Sequence, residues 1–330
     1  MNSSKPISNE STRNDSSEER GESQAEGPPR DESVREVVEQ SRSGAPAAGA
    51  VVRDRFSSDE IFHRIVAAAD EEISTGTREL FFSALAAGFA ITVTFMLYAS
   101  VTEAAGGYGN APIVGALLYP LGFIYIILGD YQLYTENTLP PVALVLERLA
   151  SIPALLSIWS IVLIGNLLGG SFGALILAET GVFSQDVMTT AIEMSHTGVE
   201  TGRWSLFFKG AFAGLIVAGV VWLDYASQDT ISRLVMVYIA FLAIPLGNLF
   251  HVVVSATEAM FLVFHGELAL LTGATDFVLP VLLGNTIGGV LLVTVVNYFQ
   301  TVERNYQEQN YQLSPREMLF GKSNPDETDP

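Results

Sequence analysis

Cysteine is absent from this 330-residue chain, which excludes disulfide bonds, thiolate nucleophiles and cysteine-ligated metal sites. Lysine occurs only 3 times against 14 arginines, and histidine only four times. Phosphate-binding glycine loops and nucleotide motifs are missing as well. With a net charge of −19, the chain is also a poor match for nucleic acid. We therefore predict no enzymatic activity, no metal, no cofactor and no nucleic-acid partner.

Charge is scarce overall and unevenly placed. Charged residues make up 16% of the chain and apolar residues 49%, whereas a soluble domain carries about 25% charge. Most of the charge lies in residues 1–78 and 300–330, and long runs within 79–299 have almost no Lys or Arg. We predict aqueous ends and a lipid-embedded middle. The acidic, lysine-poor surface favours a halophilic host, with an ordinary acidic tail as the alternative.

Six apolar stretches lie in the middle region, each near the length of about 20 residues that crosses a bilayer. We predict an all-α membrane protein with six transmembrane helices. Arg64, Arg78, Arg148 and Arg233 flank the spans on one side, which predicts a multi-pass protein of the cell membrane with both termini cytoplasmic. The predicted spans are 79–101, 112–134, 152–178, 205–224, 232–264 and 277–299.

The flanking segments have different compositions. Residues 1–56 are polar and acidic, which predicts a disordered N-terminal tail. Ser57 and Ser58 precede Asp59 and Glu60, an N-cap pattern, so we predict an amphipathic interfacial helix over 57–78. Residues 79–299 form the transmembrane channel domain, and 300–330 form a cytoplasmic C-terminal tail.

The second half of the chain repeats the first. LFFSALAAG at 80–88 matches LFFKGAFAG at 206–214, GNLLGG at 165–170 matches GNTIGG at 284–289, and Pro-Leu-Gly occurs at both 120–122 and 245–247. Because each half holds three spans, an odd number, we predict an inverted 3+3 repeat of the aquaporin type. Taken alone, the glycine motifs are better explained by close helix packing.

Polar residues interrupt the middle span of each half. In span two the break covers 129–138, and in span five it covers 245–258. Matching interruptions of this kind mark the solute path in transporters built from inverted repeats. A proline kink without a site is the alternative.

These segments resemble the formate/nitrite transporter family, and its stress-associated branch in particular. The resemblance rests on GDYQLYTENTL in span two, the Gly210–Trp222 pattern of span four, SATEAMF in span five and LPVLLGNTIGG in span six. It implies an aquaporin-like fold with spans two and five broken, and a homopentamer in which each protomer has its own pore. It also implies passage of small monovalent anions, such as formate or nitrite, together with a proton, past a central His.

Carried over by residue, the resemblance places Leu133, Tyr134 and Thr135 in the span-two loop and Tyr119 and Phe123 at a constriction. The family's central His falls on Ser255, while His251 lies one helical turn earlier. The family's Asn falls on Ala259. These departures leave the coupling of anion and proton open.

The remaining polar residues of the spans have competing interpretations. His251 could donate a proton to a weak acid or simply bond a neighbouring helix. Glu136 and Glu258 are predicted to cap half-helices, or to face the pore protonated or paired with Lys209, and Asp130 raises the same question. Lys209 could attract anions or reach the headgroups. Asn248 is placed on the path, and Asn166 and Asn285 are predicted to hydrogen-bond across the core.

The sequence is compatible with three functions. The first is a channel or transporter for a small monovalent weak-acid anion in the lipid bilayer. The second is an aquaporin-like pore for neutral solutes. The third is a non-conducting scaffold or sensor that recruits partners through its acidic tail.

Overall fold

A computed structural model of the chain describes residues 56–109, 112–301 and 313–321. The predicted N-terminal tail and most of the predicted C-terminal tail lie outside the described residues. The described part is helical throughout and contains no strand. Its helices are α1 Ser58–Ser74, α2 Thr77–Ala104, α3 Pro112–Ala116, α4 Leu121–Leu128, α5 Pro140–Leu146, α6 Ile152–Glu179, α7 Gln185–Val199, α8 Arg203–Ala226, α9 Thr230–Leu246, α10 Val252–Phe264, α11 Leu270–Gln300 and α12 Pro315–Phe320.

Helix α1 begins where the sequence predicts. The Ser57 side chain accepts a hydrogen bond from the Glu60 N–H, and the Glu60 carboxylate accepts one from the Ser57 N–H. This reciprocal capping satisfies N–H groups that an open helix end leaves free. The apolar face of α1, which includes Phe62 and Ile65, packs in one cluster with Leu139 and Leu144. The face is thus covered by protein, and the position of α1 relative to a bilayer stays a prediction.

Within the described residues, four helices are long and apolar enough to cross a membrane. They are α2, α6, α8 and α11, with 28, 28, 24 and 31 residues. At about 1.5 Å per residue each exceeds a hydrocarbon core of about 30 Å. The other two predicted spans are divided into the shorter helices α3 and α4, and α9 and α10. The six predicted spans are therefore present, with the second and fifth broken. Helices α5 and α7 were not predicted.

Glycines let the long helices approach in pairs. A Cβ atom added at Gly88 of α2 would lie 2.1 Å from the Asn166 carbonyl oxygen of α6. In the second half, a Cβ atom at Gly214 of α8 would lie 2.1 Å from the Asn285 carbonyl oxygen of α11. Any larger residue would push the backbones apart. The packing role predicted for these motifs is confirmed, while the opposite membrane orientation of the halves stays a prediction.

The two breaks turn the chain in the same way. Helix α4 ends at Leu128 and α9 at Leu246, and two residues later Asp130 (φ 56°) and Asn248 (φ 50°) adopt the left-handed conformation. Asp and Asn tolerate that region better than most residues because their short side chains bond locally. The second break is shorter than predicted, because α10 already begins at Val252.

The Pro-Leu-Gly match of the two halves was wrong. Pro120 precedes α4, whereas Pro245 lies at the end of α9. The breaks instead correspond at an offset of 118 residues, as Asp130 and Asn248 show. The tripeptide stands at the start of a helix in the first half and at the end of one in the second, so the two positions are not equivalent.

Candidate functional site

Asn166 of α6 fixes the first break. Its Nδ2 donates to the Ala84 carbonyl of α2 at 2.8 Å and to the Gln132 carbonyl of the break at 2.9 Å. Its Oδ1 accepts from the Tyr134 N–H at 2.9 Å. The side chain is fully buried, so these bonds satisfy backbone groups that no water reaches.

Asn285 of α11 fixes the second break in the same manner. Its Nδ2 donates to the carbonyls of Gly210 (2.8 Å) and Phe250 (3.0 Å), and its Oδ1 accepts from the Val252 N–H at 2.8 Å. The predicted hydrogen bonds of both asparagines across the core are confirmed. An unwound backbone inside a membrane needs such partners, because lipid supplies none.

The breaks meet at a threonine and a histidine. Thr135 Oγ1 lies 2.8 Å from His251 Nε2, and both side chains are buried. His251 is the residue just before α10 and has extended backbone. Its Nδ1 has no hydrogen-bond partner among the described residues. A hydroxyl and an imidazole can each donate or accept a hydrogen bond. The pair can therefore bond a guest that is a hydrogen-bond donor or an acceptor.

Aromatic rings cover this pair. The Phe123 ring stacks on Phe241 with centroids 3.8 Å apart and meets the His251 ring edge-on at 4.9 Å. Tyr119 stacks on the other side of Phe123 at 5.6 Å. All of these rings are buried. They place apolar surface beside the polar pair, and the constriction role of Tyr119 and Phe123 stays a prediction.

Phe241 was not found from the sequence. It follows Phe123 by 118 residues, the offset that relates the two breaks. Pairing the Pro-Leu-Gly tripeptides at an offset of 125 concealed this correspondence.

A cavity of about 80 Å³, the tyrosine cavity, lies beside the pair. It contains several of the predicted residues: Tyr119, Asn248, His251, Ser255 and Glu258. His251 and Ser255 line the same space, one turn apart. The other lining residues come from α2, α7, α9, α10 and the connecting loops, and they are Tyr98, Tyr108, Met194, Thr197, Gly198, Pro245, Leu249, Phe250 and Val254.

A second cavity of about 90 Å³, the acidic cavity, is lined by Asp130 and Glu136 of the first break, Glu72 of α1 and Asp224 of α8. Burial, and after it the charge of Asp130, raises the pKa of Glu72 from 4.5 to about 7. Asp224 lies 3.4 Å from Arg233. Glu72 and Asp224 were not predicted, because elements distant in sequence bring them to the cavity.

The predicted capping role of the glutamates was wrong. The short 3₁₀ helix Glu136–Thr138 has no side-chain cap, and Glu136 Oε1 has no partner among the described residues. Glu258 lies in the middle of α10, where the N–H groups already bond within the helix.

Lys209 of α8 and the break residues Leu133 and Tyr134 are not among the residues that line either cavity. The Lys209 ammonium sits over the Phe250 ring, 5.5 Å from its centroid, and the ion pairs of the described residues do not include it. The suggested pairing with Glu136 or Glu258 is therefore wrong. Leu133 is fully buried, and the Tyr134 hydroxyl bonds Thr286 at 2.8 Å. Neither residue lines the tyrosine cavity or the acidic cavity.

The described residues contain no group of three or more His, Asp or Glu placed to hold a metal ion.

Residues 59–299 match the family model described as formate/nitrite transporter. The chain is 26% identical over 233 residues to the inner membrane protein YfdC of Escherichia coli, covering 70% of this chain and 74% of YfdC. It is 25% identical over 250 residues to the formate channel FocA of Haemophilus influenzae, covering 67% and 86%. A solved FNT family ion channel has the same fold (TM-score 0.66, 20% identity, 73% of this chain and 99% of that one). A pentameric formate channel with formate bound superposes at a TM-score of 0.58 with 20% identity, over 68% and 96% of the two chains.

Proposed function

Since the chain belongs to the formate/nitrite transporter family, we propose that it is a membrane channel for small monovalent weak-acid anions such as formate or nitrite, which cross together with a proton. The observation that carries the proposal is the Thr135–His251 pair, which joins the two breaks at 2.8 Å. The tyrosine cavity begins at His251, and the acidic cavity is lined by Glu136, next to Thr135. The path runs from one cavity to the other past this pair.

The aromatic barrier decides the form in which the solute crosses. Phe123 and Phe241 offer an ion only apolar surface, and removing a full charge from water at such a place is costly. A weak acid avoids that cost when it takes up a proton first. Thr135 and His251 then replace the water molecules that the solute loses at the barrier.

The proposal extends to topology and assembly. The matching asparagine contacts support two halves of inverted orientation, with both termini in the cytoplasm as the arginine distribution indicates. A solved relative of the same fold is a pentameric formate channel, and we extend the homopentamer to this chain. Residues 57–78 would then lie at the cytoplasmic membrane surface.

A pore for neutral solutes is the second candidate. Among the residues that the structure describes, no Lys or Arg lines either cavity, and the acidic cavity holds four carboxyl groups. Carboxylates in these surroundings repel a permanent anion but do not repel a neutral molecule.

Uptake by proteoliposomes separates the candidates. We expect uptake of formate, nitrite and acetate well above that of empty vesicles, rising as the external pH falls. Thr135→Val keeps the shape of the side chain but removes its hydroxyl, and should lower the uptake. Wild-type uptake equal to that of empty vesicles for all three anions, with swelling in glycerol, would replace the proposal with the neutral pore.

A further inference from the structure

Glu258 is the one carboxyl group among the residues that line the tyrosine cavity. It lies on α10, three residues after Ser255 and seven after His251, so the three side chains lie along one face of the helix. The face leads from the cavity to the Thr135–His251 pair. A carboxyl group at this place is within the path proposed above.

Two buried polar atoms of the same cavity have no partner. Ser255 and His251 are each 1% exposed, and neither Ser255 Oγ nor His251 Nδ1 forms a hydrogen bond within the part of the chain that the structure describes. Buried polar side-chain atoms are normally hydrogen-bonded, because the unpaired state costs about 1–3 kcal/mol. Both atoms belong to residues that line the tyrosine cavity, so a guest held there can bond them.

The described residues that line the tyrosine cavity include no Lys or Arg to offset a charge on Glu258. The titratable groups of the cavity are Tyr98 from α2, Tyr108 from the loop after it, Tyr119 before α4, and His251 on α10 itself. The side chains that α7 contributes, Met194 and Thr197, carry no charge. The Lys209 ammonium lies 5.5 Å from the centroid of the lining ring Phe250 but is not itself among the lining residues. With Glu258 ionised, an entering anion therefore meets a like charge that no lining Lys or Arg offsets. With Glu258 protonated, the anion meets a hydrogen-bond donor.

We propose that Glu258 is the proton donor of the tyrosine cavity and transfers its proton to the weak-acid anion there. This inference rests on the proposed function. In the step, the O–H bond of the Glu258 carboxyl breaks and an O–H bond forms on the anion. A neutral acid and a Glu258 carboxylate result, and the carboxylate then takes a proton from a hydronium ion in the water at the cavity, which becomes water. Ser255 Oγ and His251 Nδ1 hold the neutral acid as it leaves Glu258 for the barrier.

The step also defines the class of solute. Anions of weak acids can accept the proton and cross. Chloride cannot accept it under the same conditions, so it stays charged and does not pass the apolar barrier of Phe123 and Phe241.

The test compares four proteins in proteoliposomes: wild type, Glu258→Gln, Glu258→Asp and the control Glu193→Gln. Glu193 is exposed on α7 and does not line the cavity, so its variant should match wild type. Formate uptake and the accompanying proton uptake, followed with a pH dye inside the vesicles, are measured from about pH 5 to about pH 8. Gln keeps the size and hydrogen-bonding capacity of Glu but cannot release a proton.

We expect Glu258→Gln to lose at least about ten-fold in formate uptake, which corresponds to about 1.4 kcal/mol. Its remaining uptake should follow only the fraction of formate that bulk water has already protonated, whereas Glu258→Asp should retain the wild-type pH profile. Wild-type rates and pH profile in Glu258→Gln would overturn the inference while leaving the channel function intact. Equal loss in Glu258→Gln and Glu258→Asp would overturn it too, since it indicates a merely structural role. A wild type without formate uptake would instead remove the proposed function itself.

Discussion

Replacing Asn166 by Ala tests how the first break is held. The substitution removes the hydrogen bonds to the Ala84 and Gln132 carbonyls and from the Tyr134 N–H. Ala84 lies inside α2, where its carbonyl also accepts the helical bond. Gln132 and Tyr134 lie in the break and lose the partner that Asn166 provides. The change therefore leaves the Gln132 carbonyl and the Tyr134 N–H without their hydrogen bonds to Asn166.

Each buried backbone group left unpaired costs about 1–3 kcal/mol, although polar contacts between membrane helices average only about 0.6 kcal/mol. We expect a total loss of about 3 kcal/mol. At roughly 2–4 °C per kcal/mol, this lowers the melting temperature by roughly 6–12 °C. Asn285→Ala should cost about the same, because Asn285 makes the corresponding bonds in the second half.

Thermal unfolding of the purified protein in detergent, followed by tryptophan fluorescence, measures the loss. Asn297→Ala is the matched control, because Asn297 bonds only the Val293 carbonyl of its own helix and its neighbour Gln300. Its melting temperature should stay within about 2 °C of wild type. If Asn166→Ala also melts within that margin, the asparagine does not hold the break and the reasoning fails.

Three further changes test the barrier, the acidic cavity and the polar pair. Phe241→Ala removes the ring stacked 3.8 Å from Phe123, so larger monocarboxylates such as lactate should enter proteoliposomes at rates closer to formate, at a cost of about 3–5 kcal/mol in stability. Because the folded state raises the pKa of Glu72 to about 7, stability from this group is full below its ordinary pKa of 4.5 and is lost as the pH rises toward 7. Glu72→Gln should accordingly flatten the melting temperature between about pH 5 and about pH 8, and an unchanged slope would contradict this assignment. Thr135→Val leaves the buried His251 Nε2 without its partner, which should cost about 1–2 kcal/mol in a melting experiment, whereas Thr189→Val on the exposed face of α7 should cost less than about 0.5 kcal/mol.

Much of the architecture could be predicted from the sequence because it depends on local patterns. Apolar runs of bilayer length mark the spans, and the breaks follow from polar residues within two of them. The capping box of α1 is equally local, since Ser57 and Glu60 are three residues apart. Asn166 and Asn285 were found because the glycine motif around each is repeated.

The rest depends on contacts between distant residues. Glu72 and Asp224 reach the acidic cavity only through the packing of α1 and α8, which no local pattern encodes. Phe241 was missed because a tripeptide match set the wrong offset for the repeat. The capping role given to Glu258 failed because the second break closes at His251, where the Asn285 side chain satisfies the first free N–H of α10.

Whether the solute crosses through the tyrosine cavity can be measured directly by thiol modification, because the chain has no native cysteine. Ser255→Cys places one thiol on the cavity wall, and Thr189→Cys places one on the exposed surface of α7 as control. Formate uptake into proteoliposomes is recorded before and after treatment with a small methylthiolating reagent. Treatment should stop uptake by the Ser255→Cys protein, a reducing agent should restore it, and the control should be unaffected. Undiminished uptake by a fully modified Ser255→Cys protein would show that the solute crosses elsewhere.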